Sequence, residues 1–209
     1  MSTAISDTSG MICRCRRRIG LLGGSFNPAH AGHLHISEVA LRRLGLDEVW
    51  WLVSPQNPLK SEAGMAPLPD RLAAAQRRAE GRRIRVTGIE MHLGTRYTVD
   101  TVAALRRRWP RARFVWLIGA DNLVELPRWH RWPELFRRVP IAVFARRPYS
   151  LRALSGVAAQ RFVRSRLREM AAGVLAGRKP PAWVFLHCRA HPASATAIRG
   201  GRRALSKGK

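Results

Sequence analysis

A chain of 209 residues that is 46% hydrophobic has room for one domain with a substantial core and does not require a second. It has no apolar run approaching the roughly 18 residues that cross a bilayer, and Met1 to Arg18 lacks the apolar centre of a secretory signal, which argues against membrane insertion or export and for a cytoplasmic protein. The formal net charge of +25, with 34 of the 38 basic residues Arg, favours polyanionic partners, but the arginines are spread over nearly every predicted helix and turn. No specific nucleic-acid face is therefore expected; the charge reads as a field that gathers phosphorylated ligands.

Residues 1–17 read as a disordered extension ahead of a single domain over residues 18–209. Cys13, Cys15 and Cys188 are odd in number and fit neither a disulfide framework nor a four-ligand zinc site, so they read as reduced thiols. The apolar run Ile19 to Leu22, closed by Gly23-Gly24, predicts a buried strand ending where backbone approaches a ligand closely. From Leu34 onward, Leu34, Val39, Ala40, Leu41 and Leu44 recur at roughly helical spacing and predict an amphipathic helix. Between strand and helix lie Ser25, Asn27, Pro28, His30, Gly32 and His33, which set two histidines at a helix N-terminus able to bind an anion. The loop has neither the Lys-Ser/Thr ending of a P-loop nor G-x-G-x-x-G spacing. Without a nearby Cys or carboxylate pair, His30, His33 and His35 do not make a metal ligand set.

Glu48 to Val53 predicts a second buried strand, followed by a proline-rich loop that carries Lys60 beyond its carboxyl end, either in the ligand crevice or solvated. Asp70 to Glu80 predicts a helix and Ile84 to Val86 a short strand. Thr98 is placed as N-cap of a helix closed by Pro110, with Tyr97 and Asp100 beside it as ligand contacts or packing residues. Phe114 to Ile118 predicts a further buried strand delivering Gly119 and Asp121, whose carboxylate suits ribose hydroxyls or a helix cap. In the aromatic stretch Leu126 to Trp132, core packing, stacking on nucleic acid and stacking on a substrate ring compete. Ile141 to Ala145 predicts a strand, Leu151 to Ala172 a basic helix broken near Gly156, and Ala182 to Leu186 the last strand. In His191 to Arg199, the Ser194 and Thr196 hydroxyls and the Arg199 guanidinium are spaced to converge on phosphate oxygens.

The string GGSFNPAHAGHL, with His30-Ala31-Gly32-His33, resembles the opening of bacterial nicotinate-nucleotide adenylyltransferases of the H-x-G-H nucleotidyltransferase superfamily. Three more segments resemble that family in the right order: Tyr97-Thr98-Val99-Asp100-Thr101, Ile118-Gly119-Ala120-Asp121, and the partial phosphate motif ending at Arg199, in which Ala193 and Ala195 depart from the pattern. Asn57-Pro58-Leu59-Lys60 matches the family's basic segment only at Lys60. The resemblance implies ATP contacts from Gly23, Gly24, Ser25, Phe26, His30, His33, Lys60, Gly119, Asp121, Ser194, Thr196 and Arg199. It implies substrate contacts from Asn27, Tyr97, Thr98 and Trp129, with Trp129 matching the ring-stacking Trp and Trp132 packing in the core. Catalysis then falls to His30 and His33, with Mg²⁺ accompanying ATP.

Alternation of strands and helices implies a Rossmann-like, doubly wound α/β fold whose mostly parallel sheet has helices on both faces. The expected reaction transfers AMP from ATP to nicotinate mononucleotide, giving deamido-NAD and pyrophosphate in NAD biosynthesis; a homo-oligomer is compatible with it. Transfer to nicotinamide mononucleotide or phosphopantetheine, or a basic nucleic-acid-binding protein, are the alternatives.

Overall fold

Each apolar run read as a strand forms one, because a β-strand covered on both faces needs no polar side to its pleat. A computed structural model describes residues 16–55, 64–146 and 148–188. The residues up to Cys15, Lys60, and the segment with Ser194, Thr196 and Arg199 lie outside the described residues.

In chain order the elements are β1 (Arg18–Gly24), α1 (Ala31–Arg43), β2 (Glu48–Val53), α2 (Leu68–Ala79), β3 (Ile84–Thr87), α3 (Ile89–His92) and α4 (Thr98–Arg108). There follow β4 (Arg113–Gly119), α5 (Ala120–Glu125), α6 (Trp132–Arg138), β5 (Ile141–Phe144), α7 (Ser150–Ser155), α8 (Val157–Arg161), β6 (Arg166–Leu167) and β7 (Trp183–Leu186). The strands form one sheet in the order β3-β2-β1-β4-β5-β7-β6, and every pairing is parallel. The sheet is thus wholly parallel among the described residues. The order reverses between β1 and β4, and the carboxyl ends of these two neighbours flank the crevice where such sheets take ligands.

Successive residues of each strand feed opposite cores. Leu21, Trp50, Trp116 and Phe185 pack with Val102 and Leu105 of α4, Leu123 of α5, Phe136 of α6 and Ala153 of α7 on one face. Leu22, Trp51, Leu117 and Val184 pack with Val39 and Ala40 of α1, Ala75 of α2 and Leu175 on the other. Adjacent residues go to opposite faces because the strand period is two, and this gives a sheet with helices on both sides.

Three helix predictions are corrected. The stretch Leu151 to Ala172 is not one helix: Gly156 takes extended dihedrals (φ −73°, ψ 161°) and serves as both the end of α7 and the start of α8. Beyond them a 3₁₀ turn, the two-residue strand β6 and a 3₁₀ helix over Glu169–Gly177 follow. The pairing of β6 with β7 draws Arg166 and Leu167 into the sheet and so overrides their helical spacing. Thr98 is likewise the first residue inside α4, whose N-cap is Tyr97 with no side-chain capping bond. Helix α2 begins at Leu68, two residues ahead of the prediction, with Pro69 in its first turn, where a missing N–H costs nothing.

Close packing fixes Gly23. A Cβ there would lie 2.8 Å from Cη2 of the Trp116 indole, a rigid ring held in the core, whereas a Cβ at Gly20 would press chiefly on the methyl ends of Leu46 (2.8 Å) and Leu117 (2.9 Å), with Cγ2 of Val49 at 3.3 Å. Gly23→Ala is expected to destabilise the fold by about 1–3 kcal/mol through overpacking, and Gly20→Ala by less because leucine methyls can rotate aside. Urea unfolding midpoints at unchanged m-value check that order.

Candidate active site

The chain leaves β1 at Gly24 and enters α1 at Ala31, and the intervening turn is built on a buried phenylalanine. Phe26 holds a left-handed backbone (φ +47°), a strained conformation for a bulky residue that its packing must maintain. Its ring stacks on Trp51 of β2 (centroids 5.0 Å, 25° between planes) and lies tilted against His33 (4.5 Å). Asn27 uses its amide within the loops: Nδ2 donates to the Gly64 carbonyl (3.1 Å) and Oδ1 accepts from the Ala66 N–H (3.4 Å). Gly24 and Ser25 complete the turn, half-buried beside Phe26.

Two histidines then cap the helix reciprocally. The Gly32 N–H donates to His30 Nδ1 (3.1 Å) and the His30 N–H donates to His33 Nδ1 (3.2 Å), with the two rings 3.9 Å apart. An imidazole whose Nδ1 accepts a hydrogen bond carries its proton on Nε2 when neutral, so the capping geometry assigns both rings the Nε2–H tautomer. Burial, followed by the positive fields of His30 and Arg146, lowers the His33 pKa to about 3. His33 is therefore a neutral donor at physiological pH. Its main chain is fixed too, since Ser37 Oγ donates to the His33 carbonyl (2.8 Å) and accepts from Trp51 Nε1 (2.8 Å). No acidic residue occupies the first turn of α1, so the helix carries no carboxylate of its own against the positive end of its dipole.

At the neighbouring strand ends, Gly119 closes β4 and Asp121 lies in the first turn of α5. A Cβ on Gly119 would stand 2.3 Å from Asp121 Oδ1, so only glycine lets this carboxylate fold back over the strand end. Arg146, just beyond β5, donates to Asp121 Oδ2 (2.7 Å), while the buried Oδ1 has no partner among the described residues. Arg146 is thus a cation at the same edge that the sequence reading missed; it sits in an Arg-Arg-Pro run indistinguishable from the other arginine pairs until β5 is paired with β4.

The third part lies at the start of α4. Tyr97 stacks on His130 (4.2 Å, 29°), and Asp100 accepts a hydrogen bond from Arg131, so α4 and the aromatic loop are joined at two points. Trp129 is half-buried against the core, and Trp132 stands edge-on to Phe136 and Phe162. Thr98 is half-buried at the first position of α4. The loop between β3 and α4 is held by Glu90, whose carboxyl burial pushes above the ordinary range and which takes hydrogen bonds from Ser54 and Thr101. His130, Arg131 and Glu90 carried no periodic or motif signal that distinguished them from surface residues.

Among the described residues no three His, Cys, Asp or Glu side chains converge as an ion site. No helix of the described residues is long and apolar enough to cross a membrane.

The family model described as cytidylyltransferase-like matches residues 21–201. A "probable nicotinate-nucleotide adenylyltransferase" of Parvibaculum lavamentivorans is 54% identical over 182 residues, which is 87% of this chain and 90% of that relative. One from Agrobacterium fabrum is 48% identical over 185 residues, 88% of this chain and 99% of the relative. Among solved structures, a Plasmodium falciparum nicotinic acid mononucleotide adenylyltransferase complexed with NaAD aligns with a TM-score of 0.67 at 15% identity, covering 88% of this chain and 83% of that one. A "putative nicotinate-nucleotide adenylyltransferase" from Vibrio parahaemolyticus aligns at 0.54 and 17% identity, covering 92% and 89%. These two likenesses carry the fold.

The depressed His33 pKa gives a stability prediction with a definite sign. Between about pH 6.5 and 3 the unfolded chain binds a proton at this histidine that the folded chain refuses, so its contribution to stability is lost as pH falls through that window. His33→Gln is expected to flatten the acid limb of stability measured by urea unfolding between pH 7 and 4.

Proposed function

Because the chain belongs to the cytidylyltransferase-like family, among relatives named nicotinate-nucleotide adenylyltransferase, we propose that it transfers AMP from ATP to nicotinate mononucleotide in NAD biosynthesis. A 5′-phosphate oxygen of the mononucleotide attacks the α-phosphorus of ATP as the bond to the bridging oxygen of the β-phosphate breaks, giving deamido-NAD and pyrophosphate. The reaction needs no protein nucleophile, so the protein's part is alignment and stabilisation of charge.

The observation that carries this reading is the pair of Nε2–H imidazoles at the N-terminus of a helix with no acidic residue in its first turn, at the sheet's switch point. His30 and His33 donate to the triphosphate, and the N-terminus of α1 adds the positive end of its dipole. Neutrality suits His33 to this task, because a neutral donor does not titrate near physiological pH. The turn of Gly23, Gly24, Ser25 and Phe26 brings main chain against the nucleotide, and Arg146 adds a fixed cation. Asp121, half-engaged by Arg146, keeps Oδ1 as an acceptor for a ribose hydroxyl, beside Gly119.

Lys60, Ser194, Thr196 and Arg199 are assigned the departing pyrophosphate on the sequence pattern alone. Tyr97, Thr98 and Trp129, near the joined loops, are assigned the pyridine ring, and Asn27 shapes the turn between the two substrates. Mg²⁺ enters as part of the Mg-ATP substrate, with the phosphate oxygens as its ligands. The same reading makes this a cytoplasmic enzyme.

Pyrophosphate release from Mg-ATP should be well above background with nicotinate mononucleotide and much lower with nicotinamide mononucleotide or phosphopantetheine; preference for either of the latter would sink the substrate assignment. His33→Ala should lower kcat by about two orders of magnitude with the fold intact, as loss of one preorganised donor does elsewhere. Near-wild-type turnover would remove His33 from catalysis. Arg146→Ala should raise KM for ATP about tenfold, the effect of losing one charge-assisted hydrogen bond, with KM for the mononucleotide changed less.

A further inference from the structure

Helix α2 turns an arginine inward. Arg71 is only 3% exposed, and among the described residues every hydrogen bond it makes goes to a main-chain carbonyl: Nε to Ala66 (2.9 Å), Nη1 to Ser25 (2.7 Å) and Ser54 (2.7 Å), and Nη2 to Pro55 (2.9 Å). Among the described residues no carboxylate pairs with it. A buried guanidinium without a counter-ion is costly unless its donors are met, and here four carbonyls from three separate segments meet them.

Those segments are the turn after β1, the end of β2 and the approach to α2. Asn27 ties the first to the third through Gly64 and Ala66, and the Glu90 carboxylate accepts a hydrogen bond from the Ser54 hydroxyl. Ser25 directly precedes Phe26, whose left-handed backbone and ring set the position of His33. No motif marks Arg71 in the sequence, where it is one arginine among 34.

We propose that Arg71 is a positioning residue for nucleotidyl transfer: by gathering the carbonyls of Ser25, Ser54, Pro55 and Ala66 on one guanidinium, it fixes the turn that aims His30 and His33. This rests on the functional reading above. Lysine keeps the charge but presents a single nitrogen, so it cannot span carbonyls that Arg71 reaches with three. The role therefore predicts that retaining charge is not enough.

The test compares Arg71→Lys and Arg71→Met with wild type, with rates normalised to the folded fraction from circular dichroism. Arg71→Lys should lower kcat by about 10- to 100-fold, the scale of a 1 Å misplacement, while KM for both substrates stays within a few-fold. Combined with His33→Ala it should cost little beyond His33→Ala alone, because both changes act on the same contact. Activity lost only in proportion to folded protein, wild-type kcat in Arg71→Lys, or effects that multiply in the double variant would each overturn the assignment. Imidazole ¹⁵N–¹H spectra read the same geometry without turnover: Arg71→Lys should shift the His33 signals, and unchanged signals would overturn the proposal. A wild-type enzyme silent with ATP and nicotinate mononucleotide would sink the functional reading, while the spectra would still decide Arg71.

Discussion

Two main-chain N–H groups at the start of α1, those of His30 and Gly32, donate to imidazole Nδ1 atoms instead of the hydroxyl or carboxylate that commonly closes a helix. This substitution has consequences in both directions along the chain. A carboxylate in the same place would satisfy the amides but cancel the positive end of the helix dipole. Imidazoles satisfy them through Nδ1 and leave a second nitrogen as a donor, so one pair of side chains both caps the helix and extends its anion-binding character. The arrangement holds only while His33 is neutral. Its burial against Phe26 and Trp51, close to two other basic groups, ensures that.

The parallel sheet supplies the location. Because β1 and β4 are neighbours where the strand order reverses, the turn carrying the histidines, the Gly119 and Asp121 strand end, and Arg146 beyond β5 share one edge. The close approaches there depend on missing side chains, at Gly23 over Trp116 and at Gly119 beside Asp121. Arg71 acts at the same edge, joining the Ser25 and Ser54 carbonyls just past the last ladder bond, Ser54 N–H to the Gly24 carbonyl. The site is thus organised by hydrogen bonds to main chain, which specify shape more than charge.

The large arginine content acquires a spatial pattern in the fold. Arginines end α1 (Arg42, Arg43), α2 (Arg77, Arg78), α4 (Arg106 to Arg108) and α6 (Arg137, Arg138). Helices that connect parallel strands run back against them, so these last turns fall at the amino edge of the sheet, away from the histidines. Cations there complement the negative helix ends. The ion pairs that several surface arginines make, such as Arg18 with Asp47 and Arg43 with Glu169, are half-exposed and contribute little individually. The charge is better understood as a general attraction for phosphorylated solutes than as a binding face.

Most of the architecture was legible along the chain because it rests on local rules. An uninterrupted apolar run such as residues 49–53, short and rich in Val and Trp, suits a strand covered on both sides, and Gly-Gly followed by a His-x-Gly-His helix start fits a strand, a turn and an anion-binding terminus in one stretch. Local rules failed where sheet pairing competed with helical periodicity, as in the segment from Leu151 to Ala172, and where Tyr97 took the capping position assigned to Thr98. Three features of the site were decided by tertiary structure alone. The neutrality of His33 depends on burial against Phe26 and Trp51 and on Arg146, which lie on or just beyond three different strands. Asp121 gains a cation from 25 residues away. Arg71 is distinguished from the other described arginines by its burial and by the carbonyls that fold around it. By itself, the sequence determined which residues could hold a nucleotide, since that depends on side-chain chemistry and spacing. Only the tertiary structure decided their protonation and aim, because both arise from groups that are distant in the chain and adjacent in space.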